Sequence, residues 1–258
     1  MTEHVRVERD GAVLAITLAR PERRNAITVA MYAALADAIE SAADDPAIRV
    51  ITIRGEGQDF AAGNDLADFL EAPQRDGSEI PVWRLLRALA ECETPIVAAV
   101  HGNCVGIGTT MLLHCDLVVA DPSARFAMPF VDLALVPEAA SSLIFPRLAG
   151  RRRAARYLLL CEPFGAEEAL AIGLVDEVVP ADAVFSRAME YAGQFAKGPS
   201  AAYAAAKRAI DGGLDTDLRT GLDLEADLFA ALFATDDQRI GMTSFVENGP
   251  GKAEFTGR

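Results

Sequence analysis

The stretch His101–Asp121, HGNCVGIGTTMLLHCDLVVAD, decides the fold. It continues an apolar run, TPIVAAV at 94–100, through a glycine-bearing turn into a short helix-like segment and then a second apolar run, LVVA. Strand, turn, helix and strand in that order are the punctuation of an α/β chain. A glycine turn that leads from a strand into a helix presents backbone N–H groups outward, which suits an anion or a developing negative charge. GIG lacks the third glycine of a dinucleotide fingerprint, and the chain contains no GxxxxGK[ST], so nucleotide phosphate cradles are disfavoured. A second turn of the same kind, GEGQDFAAGNDLADF from Gly55, follows the apolar run RVITIRG.

Outward from these turns the pattern repeats. HVRVERD and AVLAITLA flank Asp10-Gly11 and read as a hairpin. Residues 27–43 carry Met31, Leu35 and Ile39 at fourfold spacing, and residues 81–92 carry Trp83, Leu86 and Leu89; both predict helices with those side chains inward. From about residue 182 strand signals stop, and alanine-rich helical segments follow. EAPQRDGSEIP at 71–81 reads as a mobile surface loop.

The bulk properties narrow the class. A chain of 258 residues, 51% hydrophobic and 24% charged, buries a sizeable core. Its formal charge of −14 disfavours nucleic acid and anionic membranes as partners, and an anionic ligand needs a local basic patch. MTEHVRVERD has no apolar leader, and the most apolar segment, 96–120, is interrupted by His101, Asn103, His114 and Asp116; a soluble, cytoplasmic protein is expected. Cys92, Cys104, Cys115 and Cys161 stand in no CxxC pairing beside only three histidines, so they read as free thiols with no metal site.

Taken in order, ARPERRNAIT, FAAGNDL, HGNCVGIG with CDLVVAD, ARFAMPF, LVPEAASS, AIGLVDEVVP and the ending FTGR resemble the crotonase superfamily, the enoyl-CoA hydratase/isomerase family. The resemblance spans nearly the whole chain. It implies an α/β spiral of ββα units with a helical C-terminal trimerisation region, divided as a core over 1–195 with the thioester site and helices over 196–258. The ligand it implies is an acyl-CoA thioester, with no separate cofactor, since coenzyme A enters as part of the substrate. The implied assembly is a homotrimer or a dimer of trimers.

The same resemblance assigns roles. The backbone N–H groups of Asn64 and Ile107 form an oxyanion hole, and each such donor is worth about 2.7–4 kcal/mol in a dry site. Arg23 and Arg24 lie near the coenzyme's phosphates, with a solvated turn as the competing reading. Ala26, Ala62, Gly63, Asp65, Leu66, Gly106, Thr110 and Phe130 line the ligand. Thr110 and Phe130 stand where hydratases of the family carry two glutamates, and neither side chain activates water at neutral pH. Glu138, in VPEAASS, resembles instead the single glutamate of peroxisomal-type Δ3,Δ2-enoyl-CoA isomerases.

Glu138 also admits a bland reading, in which Pro137 opens a helix and the acid favours its dipole. If it is buried, desolvation outweighs the dipole and raises its pKa. Asp132 is the competing acid and reads as structural; Arg151–Arg153 read as a solvent-facing helix; His101 and His114 read as satisfied core or turn residues. Three functions stay open: an isomerase, a hydratase or other acyl-CoA enzyme, and a non-catalytic CoA-binding or assembly module.

Overall fold

Gly11, at φ 58°, takes the turn between β1 (Val5–Asp10) and β2 (Val13–Leu18), which pair antiparallel from Val5 opposite Leu18 to Asp10 opposite Val13. The computed structural model describes residues 2–71, 81–213 and 216–257. Beyond the hairpin the chain adds β3 (Val50–Gly55), β4 (Ile96–Val100), β5 (Asn103–Val105), β6 (Leu117–Ala120), β7 (Arg125–Ala127), β8 (Phe164–Gly165) and β9 (Glu177–Val178). The large sheet has the order β1, β2, β3, β4, β6, β9, and every pair after the hairpin is parallel. β4 is buried along its whole length, as a parallel strand covered on both faces must be.

A second, smaller sheet has the order β5, β7, β8. Isolated bridges extend it, Ala61 with Cys104 of β5 and Ile27 with Asn64. The chain therefore lays a strand in the large sheet, steps into the second layer, and returns. β3 leads to Ala61, β4 to β5, and β6 to β7. This alternation produces the spiral of ββα units, and it delivers each glycine turn to one edge of the second layer.

Eleven helices follow the chain among the described residues: α1 (Val29–Asp44), α2 (Leu66–Glu71), α3 (Pro81–Ala90), α4 (Ile107–Thr110), α5 (Ser141–Ala149), α6 (Arg151–Leu159), α7 (Ala166–Ala171), α8 (Val184–Lys197), α9 (Ser200–Gly212), α10 (Leu218–Leu232) and α11 (Asp236–Asn248). Thr28 caps α1 by accepting from Met31 N, and Met31, Leu35 and Ile39 are buried as their spacing predicts. α1 and α3 join the main core on one face of the large sheet, and α8 seals the other face with Val184, Ala188 and Ala192. α8 runs through residue 195 and ends at Lys197, so the last helix on the sheet closes just before the three C-terminal helices α9 to α11 begin.

Two expectations need correction. Trp83 is 41% exposed, whereas Leu85, Leu86, Ala88 and Leu89 are buried. At about 100° per residue Trp83 falls roughly 60° beyond Leu86, outside the arc that faces the core. Pro137 does not open a helix: α5 begins at Ser141, because Ala139 and Ala140 both take left-handed backbone, at φ 56° and 51°. Arg151–Arg153 are solvent-exposed at the start of α6. Most of the segment expected to form a surface loop, 72–80, lies outside the described residues. No helix is long and apolar enough to cross a membrane among the described residues.

Candidate active site

Parallel register brings the two glycine turns together. Ala61 pairs with Cys104, so three residues along each segment Asn64 comes level with Ile107. The spacing agrees with this, since a Cβ built on Gly106 lies 3.8 Å from Gly63 Cα. Both glycines have positive φ, 88° at Gly63 and 56° at Gly106 with ψ −121°, and L side chains avoid that backbone.

The peptide planes are aimed by hydrogen bonds. Gly63 O accepts from Ile27 N at 2.7 Å and Asp65 N donates to Ile27 O at 2.9 Å, which leaves the Asn64 N–H facing the opposite way. Ile107 is the first residue of α4, whose early N–H groups have no intrahelical acceptor. Among the described residues neither N–H has a backbone acceptor. Two unpaired main-chain donors on adjacent turns suit an oxyanion.

Thr110 occupies the last position of α4, one turn beyond Ile107, and is fully buried. Its hydroxyl donates to Oε1 of Glu138, with Gly106 O as a longer alternative acceptor at 3.3 Å. Oε2 of Glu138 is buried with no partner among the described residues. Burial pushes the Glu138 carboxyl up to about 7, against the opposing pull of the Thr110 hydroxyl. A carboxylate so placed takes up and returns a proton near neutral pH.

The turn that carries Glu138 is held on both sides. Ser141 N and Oγ donate to Glu138 O at 3.0 and 2.5 Å, and His114 Nε2 donates to Ala139 O at 2.9 Å. Burial holds the His114 pKa below its ordinary value, which keeps the ring a neutral donor. The two left-handed alanines store on the order of 1–2 kcal/mol each. Strain beside an acid of raised pKa is a mark of a functional site.

Residues 8–258 match the family model for Enoyl-CoA hydratase/isomerase. The chain belongs to this family. It is 37% identical to a "Probable enoyl-CoA hydratase" of Rhodobacter capsulatus over 98% of both chains. It is 33% identical to the 1,2-epoxyphenylacetyl-CoA isomerase of Escherichia coli over the full length of both. The crystal structure of an enoyl-CoA hydratase/isomerase from Pseudoalteromonas atlantica T6c superposes with a TM-score of 0.79 at 39% identity, covering 95% of this chain and 97% of that one.

Several of the other expected ligand residues lie on or next to the segment that carries Asn64. Ala62 N donates to Arg24 O at 2.9 Å, which joins the RPERRN turn to the AAGND turn. Arg23 and Arg24 are exposed, and Arg24 lies 4.0 Å from Asp59. Ala26 and Ala62 are half-buried, and Leu66 starts α2 with its side chain largely exposed. Asp65 is engaged by Arg20 at 2.8 Å, and that bond holds its carboxyl below the usual range. Phe130 is buried, whereas Asp132 is exposed. His101 Nε2 donates to Gly57 O at 3.0 Å, a turn contact.

Three groups escaped the sequence reading. Arg20 bonds Asp65 and Ala26 O, and the fully buried Asn25 donates to Glu56 O and Asp59 O while accepting from Arg20 N; together they brace the turn that carries Arg23 and Arg24. Tyr32 of α1 donates its hydroxyl to Asn64 Oδ1. An asparagine with positive φ inside RRNA was the available signal for the brace; Tyr32 carried none, because a buried tyrosine on a helix reads as core.

Proposed function

We propose that the protein is a Δ3,Δ2-enoyl-CoA isomerase in which Glu138 is the single base. The observation that carries this reading is the state of its carboxyl group: Oε1 held by Thr110, Oε2 buried and free, and a pKa pushed up to about 7. The α-proton of a 3-enoyl thioester passes to Oε2. The electrons left behind move onto the thioester oxygen, which receives the N–H groups of Asn64 and Ile107, and the dienolate then takes the proton back from Oε2 at the γ-carbon. The double bond moves to the 2-position, and the carboxylate is regenerated.

Water is not consumed, and the site supports that economy. Thr110 spends its hydroxyl on Glu138, and Phe130 offers no proton acceptor. Hydration is the second reading, favoured by relatives that carry hydratase names. Arg23 and Arg24, exposed beside the Ala62–Leu66 segment, suit the coenzyme's phosphates on a chain of net charge −14.

The test offers a 3-enoyl-CoA and a 2-enoyl-CoA separately and follows the absorbance of the conjugated thioester. Growth on the first, at least a hundredfold faster than loss on the second, is expected. Glu138→Gln, which keeps shape but accepts no proton, should lose roughly 10³-fold in kcat and keep its affinity for the thioester. Rapid loss of 2-enoyl-CoA with no isomerisation marks a hydratase. Tight binding with no change in either marks a non-catalytic module.

A further inference from the structure

Tyr32 is a buried polar side chain for which the reaction above has no task. It is 1% exposed on α1, and a phenylalanine of the same outline fills that space. Its hydroxyl, however, is committed to Asn64 Oδ1. The ring also lies close enough to Glu138 for the carboxylate charge to reach it, and burial together with that charge raises its pKa well above the ordinary value. The phenol therefore stays a neutral donor throughout the pH range in which Glu138 titrates.

A carboxamide has an acceptor end and a donor end, and their placement matters next to a forming enolate. Two negative charges develop in this cavity, one on Glu138 before proton uptake and one on the thioester oxygen after it. An Asn64 acceptor turned toward the forming enolate oxygen raises the barrier, and a donor turned toward it lowers it. The Tyr32 bond ties Oδ1 back to α1 and leaves Nδ2 as the end of the amide without a partner among the described residues. It also fixes the side chain of the residue whose own N–H is aimed by the Ile27 bridge. α1 is itself anchored, since Met31 and Leu35 beside Tyr32 are buried in the main core.

We propose that Tyr32 is a positioning residue of the oxyanion hole, which acts through its hydrogen bond to Asn64 Oδ1: it keeps the acceptor end of that side chain away from the enolate and the Nδ2 donor end toward it. The inference rests on the isomerase-type use of Glu138, Asn64 and Ile107. It predicts an effect on the chemical step and none on coenzyme affinity, because the bond acts on Asn64 and involves neither Arg23 nor Arg24.

The experiment compares Tyr32→Phe, Asn64→Ala and the double variant, in 3-enoyl-CoA isomerisation and in α-proton exchange of a saturated acyl-CoA in D2O. Each single variant should lose about tenfold in kcat and in exchange rate, with KM within about twofold, an unchanged melting temperature and the acid limb of the pH profile still near 7. The double variant should be no slower than Asn64→Ala alone, because the tyrosine then has nothing to hold. Full activity in Tyr32→Phe, a loss confined to KM, or losses that multiply in the double variant overturns the inference. Should Tyr32→Phe fold poorly, Asn64→Ala carries the test, and an unchanged kcat there overturns it equally. If the unmodified protein is silent in both assays, the isomerase reading itself falls and the inference with it; activity in the unmodified protein with no effect of either variant removes the inference alone.

Discussion

Glu138 sets function against stability. A tenfold change in proton affinity corresponds to about 1.4 kcal/mol, so raising this carboxyl from 4.5 to about 7 makes ionising it in the folded protein cost up to roughly 3 kcal/mol. The sign follows from linkage: the folded state holds the extra proton between those two values. The stability contributed by the protonated form is complete below pH 4.5 and is lost as the pH rises through 7. Glu138→Gln cannot ionise and escapes that loss. Thermal melts of both proteins at pH 5 and pH 8.5 should therefore show the variant gaining on the native protein at the higher pH. An equal gap at both pH values contradicts a displaced pKa.

The proposed reaction draws most on α4, four residues that begin at Ile107, the proposed oxyanion donor, and end at Thr110, whose hydroxyl bonds Glu138. Ile107 is the first helical position, where proline is best tolerated because that N–H has no helical partner. Gly106 precedes it and accommodates the restriction that proline places on the residue before it. Ile107→Pro should thus fold normally yet lose 10² to 10³ in kcat, the effect of deleting one oxyanion donor. Circular dichroism and kcat measured together check this; retained activity in a folded variant removes Ile107 from the oxyanion hole. The wild-type turn needs glycine at 106 for a conformational reason, since its φ of 56° with ψ −121° is closed to side chains although a Cβ there would meet only Gly63 Cα, at an ordinary contact distance of 3.8 Å.

Across the whole chain, the C-terminal helices leave apolar side chains in solvent: Leu218 and Phe229 on α10, Phe233 at its C-terminal end, and Phe245 and Val246 on α11. Large apolar side chains left this exposed call for a covering partner. Another copy of the chain is the partner that the family resemblance implies. Sedimentation equilibrium should return trimers or multiples of three, and Phe229→Asp with Phe245→Asp should shift the protein toward monomers. A monomeric native protein contradicts this assembly.

Much of this molecule was written locally. The hairpin at Asp10-Gly11, the buried runs of β3 and β4, the inward face of α1 and the two glycine turns follow from apolar periodicity and from backbone conformations that only glycine adopts easily, and both act over a few residues. The blocks around those turns also carried the family and pointed to Asn64, Ile107 and Glu138. Tertiary structure decided the rest. Trp83 and Leu86 look alike in sequence, and only the position of the core face separates them. Pro137 followed by glutamate reads as a helix start until the left-handed pair at Ala139 and Ala140 delays α5. Thr110 read as standing where hydratases carry an acid and is bonded to Glu138 instead, and Tyr32, which the sequence pattern did not single out, is bonded to Asn64. These contacts join residues 28 and 32 positions apart. Local rules of propensity and pattern have no access to such pairs, which exist only because the parallel register of the second layer sets Asn64 level with Ile107 and because packing brings α1 and the Glu138 turn against them.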